Sequence, residues 1–208
     1  RLLDHPDTIH VTSDINTETI ARRSYSPRVI NTFSRGITRI KDCPDYRFST
    51  HREAEKLLPD IISNPVQKLL PPSAEEKISL SGFTDKRNVG VVFSGGPAPG
   101  GHNVIAGLYD ELKKHHSESR LFGFLRGPDG LLDGKYVEIT QSLVDAHRNM
   151  GGFSMIKTGR TKIDTEVKMV RALKTCLAMD LDALVVIGGD DSNTNAAFLA
   201  QYFKSSDI

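Results

Sequence analysis

Two short apolar runs, each closed at once by a pair of glycines, constrain the fold more than any other feature of the sequence. Residues 88–94 run into Gly95-Gly96, and residues 183–187 run into Gly188-Gly189. An apolar run of this length bounded by glycine is typical of a parallel strand that is covered on both faces. A helical pattern follows each glycine pair, so strand and helix alternate along this part of the chain. The order predicts an α/β fold built on a doubly wound, mainly parallel sheet.

The other elements of this part of the chain follow from apolar spacing and from capping residues. Strands are predicted at 121–125 and 136–140, and helices at 103–115 and 141–149. A further helix is expected over 165–179, with Asp164 as its N-cap and with a buried stripe formed by Val167, Val170, Leu173 and Leu177. Ser192 is expected to cap a last helix that reaches Phe203.

Proline and glycine divide the chain into two regions. Seven of the 10 prolines precede Thr84, whereas 15 of the 17 glycines follow it. Because proline fixes φ and interrupts helices, residues 1–83 are predicted to form an irregular N-terminal extension of loops and short helices, the latter at 52–62 and 74–79. Residues 84–208 are predicted to hold the first part of the α/β domain, whose sheet is incomplete in this chain.

One segment of the extension is basic, since residues 22–28 have the sequence RRSYSPR. Such a segment suits phosphate binding or phosphorylation, but a solvated loop is the interpretation that the composition favours. We expect the extension as a whole to pack against a domain or a subunit.

Composition excludes several classes of function. The chain carries 27 Lys and Arg against 26 Asp and Glu, a net charge of +1, which argues against nucleic acid or an anionic membrane as the main partner. No apolar run approaches the roughly 20 residues of a membrane-spanning helix. Cys43 and Cys176 match no metal or redox spacing, which indicates a reducing, cytoplasmic compartment.

The chain starts at Arg1 and stops at Ile208, just after a helical pattern, so we expect it to be a fragment of a longer protein.

Chemistry is expected at the glycine loops, because ligands of doubly wound sheets bind beyond the carboxyl ends of the strands. In the first glycine loop, residues 95–101, glycine lets backbone N–H groups turn toward an anion, and the following helix adds its positive end. The loop lacks the G-x-G-x-x-G fingerprint, and His102 and Asn103 stand where a Walker A loop has Lys and Ser or Thr. A phosphate cradle and a tight turn without a ligand are both compatible with this loop.

Charged residues follow in two further loops. The second glycine loop, residues 151–162, holds Lys157, Arg160 and Lys162, and arginine offers phosphate a bidentate fork. The third glycine loop, residues 188–192, places Asp190 and Asp191 after a buried strand. Carboxylates there suit a Mg²⁺ ion that also binds phosphate oxygens, and acidic capping of the next helix is the alternative. Each charge alone suits an ordinary surface, whereas convergence of the loops on one sheet edge predicts a phosphate site.

Three segments together resemble one family. They are VVFSGGPAPGGHN at 91–103, the second glycine loop, and ALVVIGGDDSNTN at 183–195. The chain over about 84–204 is similar to the phosphofructokinases, and among them to the long-form members that depend on pyrophosphate. The resemblance implies reversible, Mg²⁺-dependent phosphoryl transfer from pyrophosphate to the 1-hydroxyl of fructose 6-phosphate, a glycolytic step. It also implies assembly as a homo-oligomer or as a hetero-oligomer of related subunits.

The resemblance assigns roles to residues at the matching positions. Gly95 and Gly96 contact the donor diphosphate, and Asp190 holds Mg²⁺. Arg160 stabilises the transferring phosphoryl group, and Lys162 assists it. Asp191 stands where ATP-using relatives have glycine, so its bulk and charge are expected to disfavour ATP.

One part of the family pattern is missing from the chain. The family's catalytic aspartate lies in a Thr-Ile-Asp motif on a later strand, and the sequence reaches Ile208 without it; Lys162-Ile163-Asp164 is not that motif. The chain is therefore expected to bind the donor phosphate and the metal without supplying the general base. The alternatives are an ATP-dependent member, a non-catalytic regulatory copy of the same fold, and a plain nucleotide- or phosphosugar-binding module.

Overall fold

The computed structural model describes residues 17–34, 38–47, 49–73 and 85–206. The helix predicted at 74–79 and the proposed boundary between 83 and 84 lie outside the described residues. In chain order the elements are α1 (17–24), a 3₁₀ turn (Asn31–Phe33), β1 (Arg39–Asp42), α2 (Arg52–Leu57), α3 (Pro59–Ile62), β2 (Gln67–Leu70), β3 (Asn88–Phe93), α4 (Gly101–His115), β4 (Arg120–Phe124), α5 (Pro128–Asp133), β5 (Tyr136–Glu138), α6 (Gln141–His147), α7 (Glu166–Ala178), β6 (Ala183–Ile187) and α8 (Asp190–Ser205).

The main sheet has four strands and confirms the predicted α/β class. Its order is β5-β4-β3-β6, with β3 parallel to both β4 and β6 and with β5 antiparallel at one edge. The chain winds from the central β3 to one side through α4, and later reaches the other side through α7. This change of direction beside β3 is what opens a ligand crevice in doubly wound sheets.

Helices cover both faces of this sheet. Val89, Val91 and Phe93 of β3 pack with α4 and α6, whereas Val92 packs with α5, α7 and α8. The alternation follows from the pleat of the strand, which sends successive side chains to opposite faces. A strand covered on both faces explains why β3 is apolar along nearly its whole length.

The caps of two helices differ from the sequence prediction. Thr165, not Asp164, is the N-cap of α7, because its hydroxyl accepts a hydrogen bond from Lys168 N at 3.4 Å. The Asp164 carboxylate binds Lys168 Nζ at 2.7 Å instead. Helix α8 begins three residues earlier than predicted, with Gly189 as its N-cap, so Ser192 lies within the first turn of the helix.

The buried face of α7 was predicted wrongly at both ends of the stripe, whereas Val170 and Leu173 in its middle are half-buried. Val167 is 71% exposed and Leu177 is 53% exposed, whereas Ala172 and Cys176 are buried. Apolar residues occur on both sides of this helix, so spacing alone does not determine which side faces inward. The small side chains face inward because α7 packs against both α5 and α8.

A short helix, α5, was not predicted from the sequence. Pro128 occupies its first turn, where a missing N–H costs nothing. Gly134 ends it in the left-handed conformation, with φ at 64°. Leu131 and Leu132 are buried against the second face of the sheet.

The described residues of the N-terminal extension contain more regular structure than predicted. Strands β1 and β2 form an antiparallel pair that the sequence analysis did not anticipate. The single helix predicted at 52–62 is two helices, because Pro59 starts α3 and breaks the run after Leu57. The extension meets the α/β domain where Asp60 N donates to Gln201 Oε1 of α8 at 3.0 Å. None of the helices described above is both long enough and apolar enough to span a membrane.

Candidate functional site

The first and third glycine loops are joined at one edge of the main sheet, beyond the carboxyl ends of β3 and β6. Ser94, the residue after β3, donates its N–H to Ile187 O of β6 at 2.8 Å. Its hydroxyl accepts a hydrogen bond from Ser192 Oγ at 2.9 Å. A Cβ on Gly188 would lie 2.5 Å from Ser192 Oγ, so glycine allows the third loop to close against Ser94.

The second glycine loop reaches the same edge of the sheet, where its Thr158 and Gly159 bond the backbone of Gly95 in the first loop. Gly95 has φ at 92°, a conformation that favours glycine. Its N–H donates to Gly159 O at 2.8 Å, and its carbonyl accepts from the Thr158 hydroxyl at 2.8 Å. Ser94 also forms a parallel bridge with Gly159. The end of β3 thus holds the loop that carries Arg160.

Arg160 lies beside Gly96. A Cβ on Gly96 would be 3.4 Å from Nη2 of Arg160, and both residues are exposed. Helix α4 begins directly after the first glycine loop, and no acidic residue lies in its first turn. The guanidinium of Arg160 and the backbone of Gly96 therefore lie side by side, which suits a phosphate group.

Asp190 and Asp191 form the start of α8. Asp191 N donates to Asp190 Oδ1 at 3.0 Å, and both residues are exposed. Ser192, which follows them, bonds Ser94 at the end of β3. The acidic pair thus directly precedes Ser192, the residue that joins the first and third loops.

Lys162 has different surroundings from Arg160. Its carbonyl accepts a hydrogen bond from Lys168 Nζ at 2.8 Å. The pKa of Asp164 is lowered mainly by its hydrogen bond to Lys168, and the charge of Lys162 adds to this effect. The structure therefore brings Gly95, Gly96 and Arg160 together, whereas the contacts of Lys162 lie with Asp164 and Lys168.

Three residues that hold this site were not identified from the sequence. Besides Thr158 and Ser192, Asn195 of α8 fixes the backbone of Ile163. Its Oδ1 accepts from Ile163 N at 3.0 Å and its Nδ2 donates to Ile163 O at 2.7 Å. Their supporting role is hard to predict from the sequence, because small polar residues are equally common on solvent-exposed surfaces.

His102 is a fourth supporting residue, and it is only 2% exposed. Its Nε2 accepts a hydrogen bond from Met155 N at 3.0 Å, which places the ring proton on Nδ1. Burial, and secondarily the charge of His147, lower the pKa of His102. The neutral imidazole thus links the first turn of α4 to the second glycine loop.

Asp190 and Asp191 fit a magnesium ion whose remaining ligands come from a bound phosphate group and from water. Among the described residues, no three His, Cys, Asp or Glu side chains converge as a metal site would require. Mg²⁺ commonly takes one or two carboxylates, with phosphate oxygens and water completing its octahedron. Asp190 and Asp191 meet that requirement at the start of α8.

Comparison with known proteins gives one family. Residues 88–207 match the family described as Phosphofructokinase. A pyrophosphate--fructose 6-phosphate 1-phosphotransferase from Porphyromonas gingivalis is 43% identical over 188 residues, which are 90% of this chain and 33% of that protein. The beta 2 subunit of the protein of that name from Arabidopsis thaliana is 47% identical over 171 residues, 82% of this chain and 29% of the subunit. The chain thus spans about a third of the length of the curated relatives it matches.

A solved structure supports the same fold. The pyrophosphate-dependent phosphofructokinase from Nitrosospira multiformis matches with a TM-score of 0.52 and 18% identity, over 59% of this chain and 31% of that one. The strand order and the two helical layers described above are consistent with this likeness. Because the family match covers more than half of its residues, the chain belongs to the phosphofructokinase family.

Proposed function

We propose that the chain supplies the donor-phosphate half of an enzyme that transfers a phosphoryl group, reversibly and with Mg²⁺, from pyrophosphate to fructose 6-phosphate. The observation that carries the proposal is the junction of Gly95, Gly96 and Arg160 at the end of β3. The relatives from Porphyromonas gingivalis and Arabidopsis thaliana are named for this reaction. Phosphoryl transfer depends on positioning and charge neutralisation more than on covalent help from protein, which suits these groups.

Each group has a role in this proposal. Gly95 and Gly96 line the donor diphosphate; the N–H of Gly95 is bonded to Gly159 O, so Gly96 supplies the backbone amide that binds it. The Arg160 fork neutralises charge on the transferring phosphoryl group. Asp190 holds the Mg²⁺ ion, which when bound neutralises phosphate oxygens. Lys162 assists by its charge from a greater distance, in keeping with its contacts to Asp164 and Lys168.

Asp191 is proposed to select the donor. It is exposed in the first turn of α8, next to the proposed metal ligand. A carboxylate there would repel and obstruct the remainder of a nucleotide, so pyrophosphate is favoured over ATP. This places Asp191 in the catalytic machinery as a specificity residue.

The remaining parts of the enzyme are proposed from the relatives. The general base and the sugar-phosphate site belong to segments other than this chain, which holds no Thr-Ile-Asp motif. Residues 1–83 form an extension and 84–208 the first part of the donor domain. Assembly with identical or related subunits is proposed because the Arabidopsis relative is named as a subunit. A glycolytic, cytoplasmic enzyme is the setting that these proposals imply.

The test uses the protein at its full encoded length, assayed with pyrophosphate and with ATP. We expect Arg160→Ala to lower kcat with pyrophosphate about 100-fold or more, as for other preorganised charge stabilisers. Arg160→Lys, which keeps the charge but loses the fork, should recover only part of it. Arg171→Ala is the matched control, because this exposed arginine of α7 pairs with Asp133 at the end of α5.

Donor choice is tested with Asp191→Gly in the same assay. The ratio of kcat/KM for pyrophosphate to that for ATP should fall in the variant. An unchanged ratio would remove Asp191 from donor selection, and a wild type that prefers ATP would favour the ATP-dependent alternative. A wild type that binds diphosphate and transfers nothing would favour a regulatory copy or a binding module.

A further inference from the structure

Asn149 connects the N-terminal extension to the turn that opens the second glycine loop. Its Nδ2 donates hydrogen bonds to Arg22 O at 2.7 Å and to Tyr25 O at 2.9 Å. We propose that residues 17–34 brace the donor-phosphate site through Asn149, which acts as a positioning residue. Only the expected effect on diphosphate binding rests on the proposed function; the contact between the extension and the domain does not.

The chemistry of the contact is that of a helix end. The last carbonyls of a helix have no intrahelical donor. Arg22 lies in the last turn of α1, and Tyr25 follows that helix directly. The Asn149 amide supplies donors to both carbonyls, so the extension is held by its backbone, and the basic side chains of 22–28 are not needed for the contact.

The other side of Asn149 faces the donor loop. Its backbone N donates to Asn103 Oδ1 at 2.8 Å, and its own Oδ1 accepts from Asn103 Nδ2 at 2.9 Å. Asn103 lies in the first turn of α4, immediately after the first glycine loop. The single amide of Asn149 therefore binds the extension through its nitrogen and the donor site through its oxygen.

The turn after Asn149 continues this contact. Gly152 N donates to Pro99 O at 3.2 Å, and His102 N donates to Gly152 O at 3.0 Å. Asn149 itself has φ at 58°, and Asn and Asp are the residues besides glycine that adopt this conformation most readily. Movement of Asn149 would thus be passed to the backbone of the first glycine loop, where the diphosphate is proposed to bind.

Asn149→Asp removes the contact with the extension and keeps the contact with Asn103. Aspartate tolerates the backbone conformation and keeps the oxygen that accepts from Asn103, but it turns a carboxylate oxygen toward the carbonyls of Arg22 and Tyr25. The matched control is Gln201→Ala, which removes the hydrogen bonds between Asp60 of the extension and α8 of the domain. Gln201 lies 11 residues after Asp190 on α8, about 16 Å along the helix from the proposed metal ligand.

The first readout is amide hydrogen exchange, which needs no ligand. In Asn149→Asp we expect exchange at least threefold faster in peptides that cover 17–34 and 95–103. Gln201→Ala should instead release the amide of Asp60 and leave 95–103 unchanged. Unchanged exchange in 17–34, or release of 17–34 without any change in 95–103, would overturn the brace.

The second readout is donor affinity, measured as the Kd for magnesium diphosphate and as KM in the full-length enzyme. Asn149→Asp should raise both at least threefold and leave KM for fructose 6-phosphate unchanged, a split that general loss of structure would not give. A variant with residues 1–34 deleted should show the same split. Faster exchange in 17–34 and 95–103 with unaltered donor affinity would overturn the positioning role. If the wild type binds no diphosphate, the proposed function fails, while the exchange experiment still decides whether the brace exists.

Discussion

Gly127 lies where the end of β3 meets the second glycine loop, and its replacement by alanine should displace Arg160. Gly127 is buried with φ at 75°, and a Cβ there would be 2.7 Å from Phe93 O and 2.9 Å from the Cα of Gly159. Ordinary contact begins near 3.4 Å, and Gly159 N lies even nearer to that Cβ than the Gly159 Cα does, so the backbone at Gly159 must move by more than 3.4 − 2.9 = 0.5 Å. The left-handed conformation adds about 1 kcal/mol of strain, and overpacking adds roughly 1–3 kcal/mol.

The effect on function follows from that displacement. A misplacement of about 1 Å can cost roughly 100-fold in rate, so half of it should cost about tenfold. We therefore expect Gly127→Ala to weaken diphosphate binding or lower kcat about tenfold, and to lower the melting temperature by at least 4 °C or so. Calorimetric titration and thermal unfolding measure the two effects.

Gly107→Ala is the matched control for this experiment. Gly107 is exposed within α4, and no atom lies within 4 Å of a Cβ built there. Alanine should stabilise the helix by up to about 1 kcal/mol and leave donor affinity unchanged. The reasoning would be refuted if Gly127→Ala bound diphosphate as tightly as the wild type, or if both variants lost affinity equally.

Two further predictions concern buried titratable groups. Because the pKa of His102 is lowered in the folded state, its contribution to the free energy of unfolding is present above the ordinary value near 6.5 and is lost as the pH falls through the lower, folded-state value. The free energy of unfolding, measured from pH 7 to 4.5, should therefore depend less on pH in His102→Gln, which keeps an acceptor for Met155 N. A full wild-type pH dependence in that variant would contradict the role given to His102. Burial raises the pKa of Cys176 to about 11. A thiol reagent at pH 8 should therefore modify the more accessible Cys43 first and Cys176 only after unfolding. Equal rates of modification for the two thiols would contradict the burial of Cys176.

The sequence was sufficient to predict the sheet because its strands have an unambiguous signature. β3 and β6 are apolar and end in glycine pairs, and both lie within one or two residues of their predicted bounds. The stripe of α7 was wrong because apolar residues occur on two of its sides. The pairing of β1 with β2 was missed because both strands are short and largely exposed, so neither shows a buried face.

The candidate site could be predicted only in part for a similar reason. Glycine pairs at strand ends are visible in the sequence, and parallel topology brings them to one edge. Which side chains join the loops is not visible, because the bonds from Ser192 to Ser94 and from Asn195 to Ile163 connect residues 98 and 32 positions apart. Asn149 shows no pattern at all in the sequence, although it contacts two separate segments.

The central claim is that a diphosphate binds where the first and second glycine loops meet the start of α8. Nuclear magnetic resonance of the ¹⁵N-labelled chain, titrated with magnesium diphosphate, tests it most directly. We expect saturable shifts that are largest for the amides of Gly95, Gly96, Arg160 and Asp191, and that are lost in Arg160→Ala. Saturable shifts confined to another part of the chain, such as the basic segment 22–28, would contradict it, and so would shifts that persist undiminished in Arg160→Ala.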